Sequence, residues 1–269
     1  MFEVFARIIK DRRTSLISYV VGSVVFVEMY LALFPALRDQ AETLSKLLEA
    51  YPKGLMSAFG FDDTAAFFST VENYMSTEYF SFFWPILAII LLLSFALSMI
   101  VAEVEKGTIE LVLAQPISRL KIFFARYLAG LMSFAIFSGV SIYSIVLFSA
   151  LHGFDYKLPN YLTIWGVSFL FGTAVFSIAC FFSALFSERG KATFATAAIL
   201  LIMYALNIIS GLKESLSDLK YFSFFHYLNA PQVLGRNQVV DFSFVVFGGV
   251  IVVFTAAAAL RFNRRDITT

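Results

Sequence analysis

The chain has 269 residues, 59% of them hydrophobic, 17% aromatic and only 14% charged, with a net charge of +1. A soluble domain of this size has no way to hide that much apolar surface, so lipid must be the solvent for much of it. The near-zero charge gives no argument for nucleic acid as a partner, and the single cysteine, Cys180, sits in an apolar run and forms no internal disulfide.

In chain order, Met1 to Phe5 lack the signal-peptide order of basic, apolar and then small residues. Insertion is therefore expected to be directed by the first membrane helix. Residues 1–15 read as a separate interfacial helix. Phe2, Phe5, Ile8 and Ile9 share one face, and Arg7, Lys10, Arg12 and Arg13 lie beside it, as suits a helix in the membrane plane.

Six apolar runs are long enough to cross a bilayer: 16–36, 79–102, 122–151, 161–186, 192–212 and 242–262. The third is long enough to require tilt or projection beyond the membrane. Continuous runs of this kind argue for helices rather than barrel strands. The predicted class is an all-α integral membrane bundle of six transmembrane helices, forming one domain over residues 1–269.

Charge sets the expected orientation. With residues 1–15, 103–121, 187–191 and the C-terminal tail on the cytoplasmic side, and Arg126 and Arg261 counted at the span ends, that side carries 13 of the 20 basic residues. Both termini then face the cytoplasm of a prokaryotic plasma membrane. Segments 37–78 and 213–241 face outward. In the first, Leu44, Leu47, Leu48 and Tyr51 have helical spacing. Asp63 and Thr64 are expected to cap a second helix carrying Phe67, Phe68, Val71 and Met75. The second holds the aromatic run 221–227, too short to span.

Inside the spans, Glu28 stands out, because charge in lipid is costly. It reads equally as a group lining a translocation route or binding a cation, and as a side chain that pins helix packing. Asn207 reads as helix–helix glue. Gly130, Ser133, Gly139 and Ser141 suggest close packing of the third span.

No catalytic set is visible. His-Glu-x-x-His and Gly-x-Ser-x-Gly are missing. His152 and His226 have no spaced carboxylate or second histidine for a metal. Around Gly190-Lys191-Ala192, Leu185 replaces the first phosphate-loop glycine and Ala192 replaces the magnesium-binding Ser or Thr. Catalytic residues, metal ligands and a resident cofactor are thus all expected to be absent, and energy must come from another polypeptide.

The most distinctive segment lies between spans 2 and 3. Glu103, Glu105 and Glu110 place carboxylates at and near a helix start, where the dipole favours them. Gly107 permits a bend and Thr108 a cap. Ile109, Leu111, Val112 and Leu113 supply an apolar surface. Pro116 ends the helix, and Arg119 and Lys121 mark re-entry into the headgroups.

The run Glu-x-Glu-Lys-Gly-Thr-x-Glu-x-x-Leu-x-x-Pro-Ile-Ser-Arg at 103–119 resembles the segment after the second span of type-2 ABC exporter permeases. The tail Phe262-Asn263-Arg264-Arg265-Asp266 is similar to that family's C-terminus. The resemblance implies a permease dimer, built with a second copy or a homologue, around a central route, and an aromatic, apolar lining would suit a hydrophobic or amphiphilic cargo. It also implies separate ABC ATPase subunits that bind ATP and Mg. Residues matching Glu103, Glu105, Lys106, Gly107, Thr108, Glu110, Pro116 and Arg119 would form a cytoplasmic coupling helix docked on the ATPase. The turn containing Glu188 and Arg189 would make a second contact, and membrane lipids would surround the spans. An ion-coupled secondary transporter and a non-transporting scaffold are the alternative readings.

Overall fold

The computed structural model describes residues 2–49, 67–109 and 117–265. No strand occurs among them. The first helix, α1, runs Phe2–Asp39, and α2 runs Ala41–Glu49. Helix α3 (Val71–Met75) passes through a π-helical stretch, Ser76–Phe83, into α4 (Trp84–Met99). A short α5 (Val101–Glu105) follows. The remaining long helices are α6 (Arg119–Leu151), α7 (Leu158–Leu185) and α8 (Arg189–Leu212). Beyond them come a 3₁₀ segment (Glu214–Phe222), α9 (Phe224–Leu228), a π turn (Pro231–Gly235) and α10 (Ser243–Arg264).

Six of these helical stretches are long and apolar enough to cross a membrane: Phe5–Asp39, Val71–Met99, Arg119–Leu151, Leu158–Leu185, Arg189–Leu212 and Ser243–Arg264. Most start a turn or two before the apolar runs do, because polar flanks such as Arg119 and Arg189 are good helix residues without being apolar. The extensions are larger in the first span and in the second. In the second, helical structure begins at Val71, behind its own cap, where Thr70 Oγ1 accepts from the Asn73 N–H at 3.2 Å. The expected cap residues Asp63 and Thr64 lie outside the described residues, as does Tyr51.

One boundary needs correction. The amphipathic start and the first span are a single helix of 38 residues, without a break at residue 15. No glycine or proline separates the two parts, so a change of composition from basic to apolar leaves the conformation unchanged. At 1.5 Å per residue this helix is about 57 Å long, against a hydrocarbon core of about 30 Å. The basic part therefore extends well past the apolar layer.

Helix α7 is the centre of the bundle. Its apolar window is 78% buried, against 17% for α8 and 22% each for α1 and α10. It packs on α4, α6, α8 and α10, while α1 packs along α6. Hydroxyl groups bind the helices laterally. The Tyr127 hydroxyl of α6 lies 2.8 Å from Ser177 Oγ of α7 and accepts from Thr255 Oγ1 of α10 at 3.0 Å. Trp84 Nε1 donates to Ser141 Oγ at 2.9 Å.

Close approach of α6 and α7 depends on two glycines that accept rings from the facing helix. A Cβ on Gly130 would lie 2.3 Å from Phe176 Cζ, and one on Gly172 would lie 2.1 Å from Phe134 Cζ. Both rings are fully buried, and Phe134 is stacked between Phe137 and Phe169. Neither has room to retreat. Gly172→Ala is therefore expected to destabilise the bundle by about 1–3 kcal/mol through overpacking, measured as a lower unfolding temperature in detergent. Gly139 is different from the sequence expectation. Its nearest neighbour to a new Cβ is Trp165 Nε1 at 3.8 Å, so Gly139→Ala should leave that temperature unchanged.

Candidate functional site

The second span breaks at Ile100, whose backbone (φ −134°, ψ −62°) is not helical. A break inside an apolar bundle leaves backbone groups that must find partners. The Met99 carbonyl accepts from Arg126 Nη1 of α6, and the Val101 N–H donates to Ser183 Oγ of α7 at 3.2 Å. Arg126 has a second task. Its Nη2 lies 2.7 Å from Glu103 Oε1, while the residue itself is only 8% exposed. One guanidinium therefore fixes both the break and the first acid beyond it.

The chain leaves α5 through a glycine C-cap. The Thr108 N–H donates to the Glu103 carbonyl at 2.9 Å and the Gly107 N–H to the Val104 carbonyl at 3.0 Å. Gly107 has φ +68°, the left-handed conformation this motif needs. Sequence reasoning placed Glu103 and Glu105 at a helix start. The structure instead places them on a five-residue helix that continues the second span and ends at Glu105. The apolar pattern was continuous across this point, and the turn at Lys106 and Gly107 was read as a bend rather than a stop. Ile109 is buried within the chain. Glu110 and Pro116 lie outside the described residues.

Two further segments meet α5. Glu105 and Arg189 approach to 3.9 Å, both partly exposed. Glu188 pairs with Lys191 at 2.5 Å. Arg119 donates to the carbonyl of Arg265 at 2.7 Å. Arg265, 6% exposed, closes the end of α7 by donating to the carbonyls of Ala184 at 2.9 Å and Phe186 at 3.0 Å, and to Ser187 Oγ at 2.7 Å. A cation at a helix C-terminus is favoured by the dipole. Burial, and next Arg261, lower the pKa of Arg265, but a guanidinium remains charged at any physiological pH.

Three arginines thus brace one end of the bundle and hold residues 101–108, 186–191 and 263–265 in fixed relation. Arg119 is expected at this site, whereas Arg126 enters the sequence reading only as flanking charge and Arg265 only as that and as part of the C-terminal tail motif. The missed signal was the position of Arg126 within an apolar run, where a charge is expensive unless paired.

Glu28 lies elsewhere. Its Oε1 is 2.9 Å from His152 Nε2, just past the far end of α6, with both side chains partly exposed. Glu28 Oε2 is buried without a partner among the described residues. Glu28 does not line the cavity of about 710 Å³ that opens at that same end of the bundle. Glu78, Lys220, His226 and Asn207 do line it, so Asn207, expected to be helix–helix glue, faces open space.

The residue pattern at 103–119 and the helical bundle agree with what known families offer. The model of the family described as ABC-2 family transporter protein matches residues 4–267. No curated protein matches the chain.

Proposed function

Because the chain belongs to the ABC-2 transporter family and is a permease subunit of an ABC transporter, we propose that a separate ATPase drives it through residues 101–119. The cargo is a small amphiphile moved outward, and a second permease copy or homologue completes the route. Both termini, the α5 turn and the 186–191 turn then face the cytoplasm of the cell's inner membrane. The ATPase supplies the ATP and Mg chemistry.

The observation that carries the coupling role is the mechanical linkage at the braced end. A load applied at Glu105 or Gly107 acts on a five-residue helix whose other end is the broken backbone at Ile100. Arg126 joins that break to α6, and Ser183 joins it to α7. A push at the turn is therefore delivered to three spans, as domain closure by rigid elements requires. Glu188 and Arg189 stand beside it as the second contact. Family membership, rather than any single side chain, separates this reading from an ion-coupled transporter or a scaffold.

The test is biochemical. Tagged full-length chain purified from native membranes should carry an ATP-hydrolysing subunit, and a photocrosslinker at position 105 or 188 should join the two. Purification without any ATPase, or crosslinks that form only at the opposite end of the bundle, would overturn the proposal.

A further inference from the structure

The end of the bundle opposite the arginine braces is built from irregular helix. Ser76–Phe83 is π-helical, Glu214–Phe222 is 3₁₀, and Pro231–Gly235 is again π-helical. π-helix is rare and concentrates at functional sites. Within an apolar bundle, irregular backbone is stable where it lines a cavity. These three segments, with α8, α9 and Tyr30 of α1, line the cavity of about 710 Å³.

Two opposite charges line this space. Glu78 is half-buried and makes no hydrogen bond or ion pair to a described residue. Lys220 is also half-buried and holds its ammonium 5.2 Å from the Tyr221 ring centre. The two do not pair with each other, although opposite charges in one cavity attract. Burial, and next Lys220, lower the pKa of His226, so that ring is neutral at pH 7. The cavity therefore offers one carboxyl group and one ammonium group, held apart.

A second cavity of about 410 Å³ continues from the first and shares Ser81, Phe82, Tyr204 and Phe225 with it. It runs between α4 and α8, past Ile86, Ile89 and Ile90 on one side and Ala197 and Leu201 on the other. Apart from Ser81 and the Tyr204 hydroxyl, its walls are apolar. A polar chamber with separated charges thus opens into an apolar groove. Ligand sites commonly combine an apolar body with a few placed polar groups in this way.

We infer that the joined cavities bind one single-chain zwitterionic amphiphile, its cationic group against Glu78, its anionic group against Lys220 and its tail in the α4–α8 groove. This rests on the transport reading and names its cargo class. Charge complementarity selects the occupant. A neutral lipid would leave both charges unanswered, and a purely anionic one would meet Glu78. A second copy of this chain would fill the groove but not the chamber.

The experiment uses the full-length chain in maltoside micelles and isotopically labelled lysophosphatidylcholine as probe. Monoacylglycerol and lysophosphatidic acid of the same chain length are the comparison ligands. The unaltered chain should bind the zwitterion about tenfold or more tighter than the monoacylglycerol. Glu78→Gln should weaken lysophosphatidylcholine about tenfold and leave lysophosphatidic acid bound as tightly or more tightly, since its anion no longer meets a carboxylate. Lys220→Met should weaken both phospholipids, and Ala197→Trp should weaken all three ligands. Equal affinity of the unaltered chain for zwitterion and monoacylglycerol would overturn the inference, and needs no variant. So would an unchanged affinity in Glu78→Gln, or an Ala197→Trp chain that changes oligomeric state while binding normally. The assay contains neither ATPase nor ATP, so failure here leaves the coupling proposal standing. Failure of coupling likewise leaves the binding result intact.

Discussion

Arg126→Met is expected to lower the stability of the bundle by about 3 kcal/mol, the scale for removing one partner of a buried ion pair. Methionine fills much of the same volume and is apolar, so packing changes little. What remains is the set of groups that Arg126 answered. The Glu103 carboxylate, 25% exposed as a side chain, loses its partner, and the Met99 carbonyl at the broken turn loses its donor. Neither has a substitute nearby, because Ser183 is already engaged with Val101. The double substitution Arg126→Met with Glu103→Leu removes both charges and should recover part of the loss. The orphaned carbonyl would still cost about 1–2 kcal/mol. Cys180 provides the measurement. It is fully buried, with Sγ 3.5 Å from Met99 Sδ, so a thiol-reactive dye labels it only when the core beside the break opens. The labelling midpoint on heating should fall for Arg126→Met and return part of the way in the double variant. Identical midpoints for Arg126→Met and the unaltered chain would show that the guanidinium does not hold the break.

The helical class and the number of spans were readable because lipid leaves few choices. A long apolar run without charge has to be a helix. What was not readable depended on contacts between distant parts of the chain. Met99, Ile100 and Val101 contain no glycine or proline, so nothing local announces a break there; it persists because Arg126 and Ser183, on other helices, satisfy the freed groups. The unbroken α1 was missed for the opposite reason. A sharp change from basic to apolar composition suggested two elements where the backbone has one. At the candidate coupling surface, Glu103, Glu105, Gly107 and Arg119 were identifiable from their pattern. Their arrangement was not, since it follows from a glycine cap that ends the helix earlier than the apolar pattern implied. The cavity was invisible to sequence reasoning. Glu78 read as the last residue of an outer segment, and Lys220 belonged to another such segment far along the chain.

Gly107→Pro is expected to separate the two jobs of this region, structural integrity and transmission of force. Gly107 sits at φ +68°, and a Cβ there would meet nothing within 4 Å. Space is therefore not the constraint; conformation is. Alanine at this position pays a left-handed penalty of about 1–2 kcal/mol and keeps the turn. Proline fixes φ near −65° and has no N–H to donate, so the bond to the Val104 carbonyl disappears and the chain beyond Lys106 leaves in a new direction. The change lies past the Arg126 brace, on an exposed turn, so the bundle should insert and unfold almost as the unaltered chain does. In proteoliposomes holding the permease with its ATPase, transport per ATP hydrolysed should fall about tenfold, within the range by which one site commonly influences another. Glu105→Arg is the companion test. The Glu105–Arg189 pair spans 3.9 Å between partly exposed side chains, so it contributes well under about 1 kcal/mol to stability. A coupling loss in that variant, at unchanged unfolding temperature, would report on docking rather than on folding. If Gly107→Pro transports at the normal ratio, force does not pass through this turn, and the ATPase must grip the permease elsewhere.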